Sequence, residues 1–103
     1  MAIKLGNRAA QTSDTQGTGT LSLIPPASGS PLQSLAAALG LTSNGQSAQT
    51  IYLIEQGAEW EIGIGTVTKG NPDTLSRDQI IESTNSGAAV DWGAGTRNVV
   101  LTV

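Results

Sequence analysis

Three acidic residues crowd one short stretch of this chain: Glu55, Glu59 and Glu61 in the segment EQGAEWE. Paired carboxylates can move protons or hold calcium. Around a glycine-containing turn, however, acids more commonly form a solvated tip. Gly63-Ile64-Gly65 has two of the glycines of a phosphate-cradling loop. That fingerprint needs a third glycine and a helix start, and here Thr66-Val67-Thr68 continue a strand pattern. Asp91 beside Trp92 is a pair that could stack a sugar on the indole, although a tryptophan near a turn of a β protein more commonly packs in the core. The 103 residues contain no His and no Cys. Nucleophile–base pairs, zinc centres and disulfides therefore lack their usual donors. The expectation is no cofactor, no metal, no catalytic residue and no enzymatic activity.

The elements that would position these residues are mostly strands. Residues 1–17 are polar and rich in Thr, Gly and Gln, and they read as an arm that is extended or disordered when free. Residues 18–103 form the single β-rich domain. Leu21 and Leu23 alternate with Thr20 and Ser22 in a strand that Pro25-Pro26 ends. Pro31 opens the one helical signal, about residues 31–39, with Ser30 as N-cap, Leu32, Leu35, Ala36 and Leu39 at helical spacing, and Gly40 as the stop. Residues 50–55 and 60–68 flank Gln56-Gly57-Ala58-Glu59 and predict a β-hairpin. On its second strand Trp60, Ile62 and Ile64 share one face, while Glu61, Gly63, Gly65 and Val67 share the other. Two glycines in register leave a flat strip of backbone, and glycine weakens a strand unless something packs closely on it. Trp92 or a neighbouring subunit is the expected cover. Further strands are predicted at 75–82, 88–92 and 98–103. Short strands with turns every eight to twelve residues predict an all-β fold: a small antiparallel sandwich or barrel, with a jelly roll left open, plus the one short helix.

Composition narrows the partners. Charged residues are 13% and the net charge is −3. A nucleic-acid binder needs a basic footprint, and Lys4, Arg8, Lys69, Arg77 and Arg97 are scattered. No apolar run approaches the ~20 residues that span a bilayer, so neither nucleic acid nor membrane is expected as a partner. Aromatics are 3%, with no Phe. A core short of large rings leans on partners when disulfides and metals are lacking.

The segments GTGTLSL, SLAAAL, YLIEQGAEWEIGIGTVT and TLSRDQIIESTNSGAAVDWGAGTRNVVLTV together resemble a module of virion structural proteins of tailed bacteriophages. The most specific parts are E-x-G-x-x-W-E-x-G-x-G-T, here Glu55, Gly57, Trp60, Glu61, Gly63, Gly65 and Thr66, and the tail Asn85-Ser86-Gly87 through Val90-Asp91-Trp92-Gly93-Ala94-Gly95-Thr96. The resemblance covers the chain from about Thr18. It implies a capsid decoration (cement) protein on the outer head shell, with the major capsid protein or other virion proteins as partners, a homotrimeric state and assembly in the host cytoplasm. Other readings are a head- or tail-fibre base or adaptor, and a carbohydrate-binding β-sandwich using Trp60 or Trp92. From the residue pattern, Ile3, Leu5 and Arg8 are the expected anchors of the arm, and Gly63, Gly65 and Trp92 the expected contacts between subunits.

Overall fold

The computed structural model describes residue 3 and residues 9–27 and 29–101. Its strands are β1 (Ala10–Ser13), β2 (Leu21–Ser22), β3 (Ser47–Gln56), β4 (Glu59–Thr68), β5 (Thr74–Ser83) and β6 (Arg97–Leu101). They form one antiparallel sheet in the order β1-β6-β3-β4-β5-β2. Just past β2, Ile24 bridges Thr12 of β1, with its amide 2.7 Å from the Thr12 carbonyl oxygen. The sheet thus curls into a nearly closed barrel. The all-β class predicted from the strand spacing holds, in its barrel form.

The hairpin is longer than its sequence signal. β3 and β4 pair in continuous register from Ser47↔Thr68 to Gln56↔Glu59. Gly57 and Ala58 make a two-residue turn in which Gly57 alone takes a positive φ, 61°. That is the pattern of a II′ turn, whose twist matches that of the strands it joins.

Three expectations change. Residues 10–13, assigned to the free arm, form β1 against β6, with Gln11 and Ser13 buried. Their polar side chains hide a strand whose stability comes from ladder bonds and inward hydrogen bonds, so the arm cannot extend to residue 17. The strand expected at 88–92 shrinks to one bridge, Gly17↔Trp92, although Val90 and Trp92 are buried. The helix α1 spans only Leu35–Ala38, and its N-cap is Ser34 rather than Ser30. Ser34 Oγ accepts from the Ala37 amide at 3.1 Å, and Gln11 Oε1 accepts from the Leu35 amide at 2.9 Å. The Gln33 carbonyl is taken by the Ala10 amide, so the backbone before Ser34 serves β1 and not a helix. Leu32 accordingly stays exposed. Gly40 does stop the helix: at φ 77° it donates to Ala37 while Leu41 donates to Ala36, a Schellman ending.

The interior is filled by Leu21, Leu23, Tyr52, Ile54, Leu75 and Val99. Leu35, Ala36 and Leu39 of α1 join this core, and the link after α1 sits beside the end of the hairpin far from its turn, where the Gly45 amide donates to the Lys69 carbonyl. At the turn end, Val90 and Trp92 complete the core.

Candidate interaction surface

From Trp60 on, β4 alternates strictly between half-buried and buried positions. Inward go Glu61, Gly63, Gly65 and Val67; outward go Trp60, Ile62, Ile64 and Thr66. A solvated antiparallel sheet normally turns apolar residues in and polar residues out. Here the bulky aliphatic residues of β4 are on the outside. β3 and β6 carry apolar residues on both faces: Tyr52, Ile54, Val99 and Leu101 go inward, while on the outside Ile51 pairs with Ile64, and Leu53 pairs with both Ile62 and Val100. Ile51, Leu53, Ile62, Ile64 and Val100 thus make one aliphatic block on the outer face, each half-buried by its neighbours.

A polar rim encloses the block. At the turn end, Glu55 lies between Trp60 and Asn98. On the β5 side, Glu82 pairs with Ile62. At the far end Asp78, the extra residue of a β-bulge, accepts from Ser76 Oγ at 2.6 Å, Thr66 Oγ1 at 2.7 Å and Gln49 Nε2 at 3.3 Å. Partial burial pushes the Asp78 carboxyl up, but these hydrogen bonds outweigh it and hold the pKa below its usual value. Asp78 is therefore a fixed anion. Beyond β6 the face runs through Ala10, Thr12 and Asn98 into a groove of about 400 Å³ walled by Pro25, Pro26 and Leu32.

The surface charge is more lopsided than the sequence total. Of eight acids, Glu61 alone is buried, while the Arg77 and Arg97 side chains are both withdrawn into the barrel. Among the described residues Lys69 is the one cation left outside.

Those two arginines fix the turn end. Glu61 forms a buried ion pair with Arg77, accepting from both Nε, at 2.9 Å, and Nη2. It also accepts from Tyr52 Oη at 2.7 Å and the Val90 amide at 2.8 Å. Arg77 in turn donates to the carbonyls of Gly17 and Val90. Arg97 donates to the carbonyls of Ser13, Thr15, Gly93 and Gly95, and lies 5.4 Å over the Trp92 ring. Two cations thus tie the loops 14–20 and 87–96 to the sheet. Burial raises the Glu61 pKa, and the hydrogen bonds from Arg77, Tyr52 and Val90 outweigh it, so the net shift is downward. A depressed folded-state pKa gives stability that is complete above the unfolded glutamate value and is lost as pH falls below it. Urea midpoints at stepped pH should drop through that acidic window. Glu61→Gln, which has no carboxyl to protonate, should show a shallower drop.

The acidic trio seen in the sequence does not assemble. Glu61 points into the barrel while Glu55 lies on the outer face beside its partner Trp60, because successive residues of a strand, here Trp60 and Glu61, face opposite ways. Among the described residues no group of three potential ligands is placed to hold a metal. Gly63 and Gly65 are buried, and their cover is neither Trp92 nor another subunit but Tyr52 of the adjacent strand. A Cβ on Gly63 would lie 2.5 Å from Tyr52 Oη, and one on Gly65 3.0 Å from Tyr52 Cε2. Trp92 is 1% exposed, so neither a sugar nor a neighbouring subunit has its ring face to stack on. In this structure those three positions face the chain's own interior. Ile3 bridges Gln49 at the start of β3, beside the outer face, and is 40% exposed. Leu5 and Arg8 lie outside the described residues. The sequence reading missed the outer aliphatic block, although its signal was present: apolar residues recur at period two on both Ile51-Leu53 and Ile62-Ile64.

No known protein family, curated protein or solved structure matches this chain.

Proposed function

We propose that this chain is a structural protein of a tailed-phage virion: a decoration (cement) protein that binds the outer head shell, as a homotrimer, and stabilises the shell by protein–protein contact. The observation that carries this reading is the apolar outer face of the barrel. Its interior is packed with side chains, and its aliphatic block is turned outward under a polar rim. Such a surface is built for contact. The phage-like signature from Glu55 to Thr66 supports the reading and falls within the hairpin that carries four of the five residues of the block. The Thr12↔Ile24 bridge brings the two edge strands together within one chain, so open sheet edges are not what calls for neighbouring copies. The low aromatic share, 3% with no Phe, is what favours support from neighbouring copies.

Copy number tests the function. Quantitative mass spectrometry of purified virions from the genome encoding this chain should find hundreds of copies per particle. A handful would make it a fibre base or adaptor, and its absence from particles would end the virion reading. Light scattering should give three times the 10.5 kDa subunit mass; a monomer would remove the trimer while leaving the shell contact open.

A further inference from the structure

We infer that the outer face of β3, β4 and β6 is the docking surface, and that its occupant is a shell protein whose contact patch has an apolar centre ringed by basic side chains. This deepens the virion reading and rests on it.

The centre of the face is the block Ile51, Leu53, Ile62, Ile64 and Val100. Protein interfaces place apolar residues at the centre, where water is excluded, and polar residues at the edge. The rim charges here are Glu55, Asp78 and Glu82, all of one sign. Among the described residues Arg77 and Arg97 are spent inside the barrel, and the cation left outside, Lys69, lies past the end of β4 on the side of Pro25, Pro26 and Pro72 rather than among these acids. A basic rim on the partner neutralises these acids, and like charges opposite them are strongly disfavoured. The same rule argues against a second copy bound face to face: a twofold contact sets each patch against itself and brings the acidic rims together. Nucleic acid is disfavoured for the same reason, because its phosphates would meet the carboxylates. The neighbouring groove at Pro25, Pro26 and Leu32 extends the contact past β6. Ile81, the extra residue of a second bulge and 52% exposed, extends it toward β5.

The test uses heads purified from a phage deleted for this gene, with added full-length protein measured by sedimentation. Wild type should bind, and binding should weaken as salt is raised from low to high ionic strength. Ile62→Lys should abolish binding at concentrations that saturate with wild type. The double variant Glu55→Lys/Glu82→Lys should bind about tenfold or more weakly at low salt. Asp91→Lys, at an exposed position of the loop 87–96 away from the groove, should bind as wild type does. Circular dichroism melts confirm that each variant is folded. If wild type fails to bind heads, the cement reading itself falls. If wild type binds and the folded face variants bind equally well, the cement reading stands and this face is not the contact. If Ile62→Lys leaves head binding intact but breaks the protein to a smaller mass by light scattering, the face joins copies of this chain and the inference is overturned.

Discussion

Arg77→Met should be the most damaging single substitution in the barrel, lowering stability by about 3–5 kcal/mol, the usual cost of breaking one side of a buried ion pair. For a domain of this size that corresponds to a fall in Tm of roughly 12 °C or more. The reason lies in what remains. Glu61 is fully buried, and without Arg77 its carboxylate keeps only the Tyr52 hydroxyl and the Val90 amide as donors. The carbonyls of Gly17 and Val90 lose their guanidinium at the same time, so the loops 14–20 and 87–96 loosen together. The partner variant decides whether charge is the cause. Arg77→Met combined with Glu61→Gln should be less destabilised than the sum of the two single changes, because no unpaired charge is then buried. pH gives a second readout of opposite sign to the wild type. With Arg77 gone, burial dominates and raises the Glu61 pKa above its unfolded value. Stability should then be greatest at low pH and decline as pH rises from the unfolded glutamate value through the raised one. Urea midpoints of Arg77→Met that fall on acidification, as those of the wild type do, would show that the ion pair is not what holds the turn end.

Gly65→Ala should be the second most damaging change, costing at least the 1–3 kcal/mol typical of overpacking. A Cβ at Gly65 would meet the carbonyl oxygen of Ser76 on the neighbouring strand, closer than real contacts allow, along with Leu75 Cδ1 at 2.9 Å and Tyr52 Cε2 at 3.0 Å. The first of these is backbone and is held in the sheet ladder, so it cannot swing aside. Gly63→Ala should also destabilise, with a Cβ 2.5 Å from both Gln79 O and Tyr52 Oη. Tyr52→Phe removes the hydroxyl half of that clash but not the backbone half. It should therefore leave most of the Gly63→Ala loss in place, and it should not rescue Gly65→Ala at all. Thermal melts of the five variants give the comparison. Near-native stability for Gly65→Ala would mean that β5 packs on β4 more loosely than the structure has it.

Much of the architecture was legible because local chemistry is strong in this chain. Gly57 between two alternating runs fixes a hairpin, and Gly40 after Leu35, Ala36 and Leu39 fixes a helix end. Both depend on a glycine adopting a positive φ within a few residues of the pattern it punctuates. β1 was hidden because Ala10-Gln11-Thr12-Ser13 has no apolar alternation. Its buried Gln11 is satisfied by groups thirteen and twenty-four residues away, the Ile24 carbonyl and the Leu35 amide. The basic residues looked scattered and available, yet Arg77 and Arg97 are absorbed by loop carbonyls that no local window reveals.

The sequence by itself determined the β class, the hairpin and the helix stop, and it made clear that some bulky group must cover the glycine strip. Only the tertiary structure decided which side of that hairpin is the inside. Period two sorts residues onto two faces without naming either. A barrel this small closes around little volume, so Tyr52 over Gly63 and Gly65, with the Glu61–Arg77 pair beside it, fills the concave side. Ile51, Leu53, Ile62 and Ile64, at the intervening positions of the same two strands, are left on the convex side, where another protein can reach them.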